Sequence, residues 1–240
     1  MSNAAQSKAA ARIEALLDAN SFVEIGAGIT ARSTDFNMTE NKAPSDGVIT
    51  GYGVIDGNPV YVYSQDASVL GGTVGEMHAR KITRLYDLAR KTGAPVVGLI
   101  DCAGFRLQEA TDALEAFGEI YMKSVLASGI VPQVAGVFGN CGGAMAILAA
   151  MNDFTFMDEK NGKLFVNSPN ALSGNHVSKC DTAAADFQSA ETGIVDGCGS
   201  EDEVIEKIRK LIILLPSNCE DESFDECADD LNRVCDDIEA

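Results

Sequence analysis

Positive charge is scarce in this chain. Its 240 residues carry 18 Lys and Arg against 36 Asp and Glu, a formal net charge of −18. Phosphate contacts need basic surface, so nucleic acid is a poor partner, and an anionic membrane surface is no better. Long apolar runs are missing too. None approaches the ~20 residues of a bilayer span, so no membrane insertion is expected. Met1–Gln6 lacks the apolar core of a signal peptide. The cysteines number seven, an odd count, and no Cys-x-x-Cys pair occurs. That argues against a disulfide framework and against a zinc ribbon. Reduced thiols, a cytoplasmic location and no metal site are the expectations. No Gly-x-Gly-x-x-Gly opens a helix, so a dinucleotide fingerprint is lacking.

What the chain does have is a pair of glycine turns. Gln133–Phe138 is an apolar, strand-like run. Gly139-Asn140-Cys141-Gly142-Gly143-Ala144-Met145-Ala146 follows it and leads into an apolar helix-like run, Ala144–Met151. Glycine lets a backbone approach a ligand closely, and the first amides of a helix have no internal partner. Such a turn can hold a carbonyl oxygen that gains negative charge, or cradle a phosphate. Pro95–Asp101 reads as a second buried strand. It runs into Cys102-Ala103-Gly104-Phe105-Arg106 and a helix-like stretch from Leu107. The same offset separates Cys102 from Cys141 and Gly104 from Gly143. Two strand–turn–helix units at one spacing read as a repeated unit. Side by side, they would offer amides from two places, as an oxyanion hole requires. Read singly, each turn is ordinary α/β punctuation.

Length and a hydrophobic share of 46% allow one large domain or two small ones. Ala9–Leu17 reads as an amphipathic helix and Ser21–Ile25 as a strand; Thr30–Ser45 is a polar loop. Gly47–Ile55 and Pro59–Ser64 are β-rich, with a hairpin turn at Asp56-Gly57-Asn58. The glycine-rich loop Val69–Gly75 precedes a helix, Glu76–Lys91, ended by Gly93-Ala94-Pro95. Phe154–Met157 and Lys163–Val166 read as short strands, Asn167–Gln188 as an irregular, mobile loop and Glu201–Leu215 as a helix. From Cys219 on, Phe224, Cys227, Leu231, Val234 and Ile238 recur at helical spacing. This predicts an acidic amphipathic C-terminal helix over 219–240, set off from a main domain over 1–218. Alternating strands and helices argue for an α/β fold.

Side-chain chemistry is thin. A helical histidine such as His78 is more often a packing residue than a catalyst. His176 lies in the polar loop near Ser173 and Ser178, but neither glycine turn offers the serine that a triad needs. Cys141 sits at a helix start, where a thiolate would be stabilised; a small buried side chain is the simpler reading. Asp101 and Glu109 flank the first turn with nothing to pair them as acid and base. The chemistry therefore rests on backbone amides, which suits stabilisation of a thioester enolate.

These residues carry a family likeness. The chain resembles the N-terminal half of the carboxyltransferase subunits of biotin-dependent acyl-CoA carboxylases and decarboxylases, of the propionyl-CoA carboxylase β and methylmalonyl-CoA decarboxylase α type. The likeness runs from Arg12–Asp18 to about Leu215–Asn218. It includes Ser21–Glu24, Asp46–Gly53, Ser64–Asp66, Gly71-Gly72-Thr73 with Glu76 and Lys81-Ile82, Thr92–Gly98, Ala127–Gln133 and Asp153–Met157. The resemblance implies a crotonase (Clp protease/crotonase-like) fold built from ββα repeats. It also implies acyl-CoA binding in this half and biotin in a homologous second half. The family's Gly-Gly-Ala-Arg turn matches Ala103-Gly104-Phe105-Arg106, and its Cys-Ala-Gly-Gly turn matches Cys141-Gly142-Gly143-Ala144. Amides of Phe105 and Gly143, helped by Gly104 and Gly142, are thereby implied as holders of the acyl thioester oxygen. Gly71, Gly72, Ala103, Cys141 and Ala144 are implied as acyl-CoA contacts.

Three departures bear on function. Phe105 stands where the family has a small residue. Ser173–Asp186 lacks the family's Gly-Gly-Ala-x-Thr-His-like segment. The second half is missing. The expectation is a split carboxyltransferase: this chain binds a short acyl-CoA, and a homologous partner binds biotin brought by a carrier protein, in a homo- or hetero-oligomer. A stand-alone crotonase-type hydratase or thioesterase is one alternative; it would need a carboxylate near the turns. A non-catalytic acyl-CoA-binding scaffold subunit is another.

Overall fold

The computed structural model describes residues 7–32, 43–222, 230 and 232. Ser7 caps α1 (Lys8–Leu16) by accepting from the Ala10 amide, and a two-residue strand follows, β1 (Val23–Glu24). β2 (Val48–Ile55) and β3 (Asn58–Gln65) form an antiparallel hairpin. Its connecting residues, Asp56 and Gly57, have φ of 50° and 80°, the left-handed pair that a two-residue hairpin turn needs. α2 (Glu76–Thr92) ends at Gly93, also left-handed. Strand–helix steps follow: β4 (Val96–Cys102) with α3 (Ala110–Ala127), then β5 (Gln133–Gly142) with α4 (Ala144–Ala150). β6 (Phe154–Asp158), β7 (Lys163–Phe165), α5 (Ala185–Ala190), β8 (Gly197–Gly199) and α6 (Glu201–Leu214) complete the described elements.

All eight strands share one sheet, in the order β1-β2-β3-β4-β5-β6-β8, with β7 paired to the end of β5. β1 to β3 are antiparallel; from β3 to β8 every pairing is parallel. Side chains alternate across it. Tyr61, Tyr63, Val96, Ile100, Ala135 and Val137 join one core with Ile82, Leu85, Phe117 and Leu148 of α2, α3 and α4. Val60, Val62, Val97, Leu99, Val134 and Phe138 join the other with Ile13, Leu16, Val204 and Ile208 of α1 and α6. The result is helix, sheet and helix in three layers. The ββα unit β2-β3-α2, continued by β4-α3 and β5-α4, is the α/β, crotonase-type arrangement expected. No helix among the described residues is long and apolar enough to cross a membrane.

Several boundaries differ from the sequence reading. The strand placed at Gln133–Phe138 runs on to Gly142, because Asn140, Cys141 and Gly142 pair with Lys163, Leu164 and Phe165 of β7. The helix placed from Leu107 opens with one 3-10 turn, Leu107–Glu109, before α3. The segment read as irregular over 167–188 packs back on β7: the Leu164 amide donates to the Ala183 carbonyl, and Gln188 of α5 donates to the Leu164 carbonyl. Of the tail helix expected over 219–240, residues 219–222 are a turn and irregular chain, not helix; apart from positions 230 and 232 the rest lies outside the described residues, and so do residues 33–42 of the loop at 30–45.

Candidate functional site

Strand register brings the two turns together. Cys102 and Cys141 are direct partners on β4 and β5, so the segments after them leave the sheet side by side. A Cβ built on Gly104 would stand 3.8 Å from the Gly142 carbonyl oxygen.

The first turn, 103–106, is stitched to the loop over 71–75. The Ala103 amide donates to the Gly71 carbonyl at 3.1 Å, the Val74 amide to the Gly104 carbonyl at 2.9 Å, and the Arg106 amide to the Val74 carbonyl at 2.8 Å. These last two make a parallel bridge between Val74 and Phe105. In such a bridge the amide of Phe105 itself points the other way, away from Val74. It finds no acceptor among the described residues. The Cys102 sulfur lies 3.3 Å from both the amide and the carbonyl of Gly104. Burial pushes that thiol up to about 11, so it stays neutral at pH 7.

The second turn is a strand-to-helix elbow. Gly143 has φ 60° and ψ −125°, a conformation that glycine reaches without a steric penalty. In α/β-hydrolases a comparable sharp turn carries the nucleophilic serine. Here it carries no side chain, and a Cβ at Gly143 would meet nothing within 4 Å. One expectation is corrected at this point. The Gly143 amide does not face the open space but donates to the Phe165 carbonyl at 2.9 Å, because β7 continues its pairing past the end of β5. The next amide, that of Ala144, opens α4 and has no partner within the helix. The donors left to face a ligand are thus those of Phe105 and Ala144. The Tyr121 hydroxyl of α3 donates to the Ala144 carbonyl and steadies the elbow from behind. Gly142 is buried, with room for a Cβ limited by the Phe165 ring at 3.1 Å.

Other candidates turn out to be structural. Cys141 is fully buried, and burial raises its thiol well above the usual range, so no thiolate nucleophile stands at the elbow. At Gly72 neighbouring backbone excludes a side chain: a Cβ there would meet the Asp101 carbonyl oxygen at 2.2 Å. Gly71 supports the first turn through its carbonyl. His78 is buried on α2. Its Nδ1 donates to the Asp46 carbonyl at 3.0 Å, which leaves Nε2 to accept from Gln65 at 3.2 Å. Burial, the largest cause, holds it down to about 3, so it is a neutral packing group. His176 stays in the loop away from both turns, where its carbonyl accepts from the Lys179 and Cys180 amides.

The two flanking carboxylates are also engaged. Asp101 pairs with Arg12 at 3.4 Å. Glu109 pairs with Arg106 at 2.8 Å and accepts from the Glu76 amide at 2.6 Å. Sequence reasoning missed the buried polar group behind the first turn: Arg106 with Glu109, and Lys81 with Asp46 at 3.2 Å. The available signal was four charged residues set among apolar segments. Burial raises the Asp46 carboxyl, with the Lys81 charge opposing it.

A model of the carboxyl transferase domain matches residues 3–239. The chain is 40% identical over 226 residues to the methylmalonyl-CoA decarboxylase subunit alpha of Propionigenium modestum, covering 92% of this chain and 44% of that one. It is 39% identical to the propionyl-CoA carboxylase beta chain of Roseobacter denitrificans, over 86% and 41% of the two. This chain therefore spans less than half the length of these relatives. Among solved structures, transcarboxylase 12S with hydrolysed methylmalonyl-coenzyme A bound superposes with a TM-score of 0.83 at 34% identity, over 90% of this chain and 43% of that one. A Pseudomonas malonate decarboxylase hetero-dimer superposes with a TM-score of 0.69 at 26% identity, over 85% of both chains.

Proposed function

This chain belongs to the carboxyl transferase domain family, and from that premise we propose that it is the acyl-CoA half of a biotin-dependent carboxyltransferase. A homologous chain supplies the biotin half. The reaction moves a carboxyl group between N1′ of carrier-borne biotin and the α-carbon of a short acyl-CoA of the propionyl or methylmalonyl kind. As the α-carbon gains or loses the carboxyl group, negative charge gathers on the thioester oxygen. Two backbone amides fixed in place stabilise that charge without having to reorganise.

The observation that carries the reading is the register of Cys102 with Cys141, which sets the open Phe105 and Ala144 amides on adjoining turns. The split arrangement draws support from the malonate decarboxylase hetero-dimer, whose matched chain is of similar length. It also draws on an apolar face. Leu114, Met122, Val125 and Leu126 of α3 and Ile147 of α4 are each more than two-fifths exposed, and exposed apolar side chains gathered on neighbouring helices suit an interface. A hydratase or thioesterase would need a free carboxylate at the turns, and both carboxylates there are committed to ion pairs.

Co-expression with a homologous chain, size-exclusion chromatography and a biotin carboxyl-transfer assay test this. Transfer activity is expected only from the hetero-oligomer. Full activity of this chain alone sinks the split assignment; acyl-CoA binding without turnover in the assembled complex favours the scaffold alternative.

A further inference from the structure

The Arg106–Glu109 pair takes no part in the proposed chemistry, yet it is built with unusual completeness. Arg106 is 1% exposed and Glu109 5%. Arg106 Nη2 donates to the Thr73 carbonyl at 2.7 Å and to the Asp46 carbonyl at 3.1 Å. Its Nη1 donates to Glu109 Oε1 at 2.8 Å, and its Nε reaches Thr73 Oγ1 at 3.4 Å. Glu109 Oε2 accepts from the Glu76 amide at 2.6 Å, at the positive end of α2. Neighbouring backbone makes room for the pair. A Cβ at Gly75 would stand 2.4 Å from Glu109 Oε1 and 2.5 Å from Arg106 Nη1.

A buried ion pair is weak grounds for stability, because well-packed apolar side chains commonly serve as well. Apolar packing does not fix direction, whereas a planar fork of donors does. The fork here locks the residue next to Phe105 onto the 71–75 loop and the start of α2. Rotation of the Phe105 peptide is thereby blocked from one side, while the Val74 bridge blocks it from the other.

We infer that Arg106 and Glu109 are positioning residues, which hold the Phe105 amide aimed at the acyl thioester oxygen. The inference rests on the acyl-CoA reading above. Neither residue touches the substrate; both act through the peptide of Phe105.

The test is infrared difference spectroscopy on the full chain with propionyl-CoA carrying carbon-13 at the thioester carbonyl. A carbonyl held by two amides absorbs at lower frequency than the free ester. Wild type should show that downshift. Arg106→Lys keeps the charge but not the fork, and Glu109→Gln keeps an acceptor for the Glu76 amide but not the ion pair. Each should lose at least half of the downshift, while CoA without an acyl group binds both variants as it binds wild type. Ile208→Val, in the core on the opposite face of the sheet, should keep the full downshift. A full downshift in folded Arg106→Lys and Glu109→Gln overturns the positioning role and leaves the acyl-CoA reading standing. Loss of the downshift in Ile208→Val as well overturns it too, since general loosening then explains the effect. No downshift in wild type overturns both. Where Arg106→Lys does not fold, Glu109→Gln decides alone.

Discussion

The two turns occupy equivalent places on neighbouring strands and are held by different means. The first is clamped by charge: Arg106 and Glu109, both buried, and the Asp46 and Thr73 carbonyls that the arginine gathers. The second is held by backbone, through the β5–β7 ladder and the bond from the Gly143 amide to the Phe165 carbonyl, with the neutral Tyr121 hydroxyl as a side-chain brace. Equal presentation of an amide can thus be reached by adding specific atoms or by leaving them out. The two solutions fail in opposite ways. The first turn is vulnerable to deletion, because a lost partner strands a buried charge. The second is vulnerable to addition, because a new Cβ strains the elbow's dihedral angles.

Arg106→Ala should be the most damaging single change, since it leaves the Glu109 carboxylate buried and unpaired. A loss of about 3–5 kcal/mol is expected in urea unfolding. A loss under about 1 kcal/mol, within the usual range of an exposed pair, would break the contrast with the second turn.

Gly143→Ala should follow. The added methyl meets open space, so crowding is not the problem; the strain of φ 60°, ψ −125° is, at about 1–3 kcal/mol. The assembled enzyme should lose carboxyl transfer as the elbow opens. An alanine variant with unchanged stability and unchanged turnover would show that backbone geometry there is not decisive.

A pH effect should belong to the first turn alone. His78, behind it, is held neutral down to about 3 against an ordinary value of 6.5. Its folded value is depressed, so the unfolded chain binds a proton first as pH falls, and stability is lost below about 6.5. Between pH 6.5 and 5 this one group should remove about 1–2 kcal/mol. Denaturation midpoints of wild type and His78→Gln, compared over that window, should diverge, the variant having the flatter slope. Parallel slopes would mean that His78 is not buried neutral.

Phe105→Ala should have the smallest effect. The ring packs partly on the core beside the first turn, at a position where the family resemblance implies a small side chain. Its removal should shift preference toward longer acyl-CoA esters at the low end of about 1–3 kcal/mol. Competition assays with acetyl-, propionyl- and butyryl-CoA on the assembled enzyme would show it; an unaltered ranking places the ring away from the acyl chain.

The pairing of the turns was legible in the sequence, since Cys102 does stand beside Cys141, but the irregularity that brings them level was not: Val96–Ile100 pair with Gln133–Val137, and the register shifts between Ile100 and Cys102. The hairpin was legible because Asp56-Gly57 can do little else. What escaped was decided by distant chain. β8, Gly197-Cys198-Gly199, has no apolar run and exists because it pairs with Phe156–Asp158. The fate of the Gly143 amide depends on a carbonyl 22 positions later in the chain, at Phe165, so the family resemblance assigned it to the ligand when tertiary pairing had already taken it. The role of Glu109 was hidden because one of its partners, the Glu76 amide, lies on another helix.

The bare elbow at Gly143 has a consequence for timing. In a two-site enzyme the acyl-CoA arrives independently of the carboxyl carrier and has to wait. A thioester is an activated acyl donor, and a hydroxyl or thiolate at that spot would capture it during the wait. Gly143 offers nothing to acylate, and the nearby sulfurs of Cys102 and Cys141 are kept protonated by burial. In the proposed assembly the same pocket that sharpens one reaction is therefore inert toward the easier competing one, and the substrate leaves either carboxylated or unchanged.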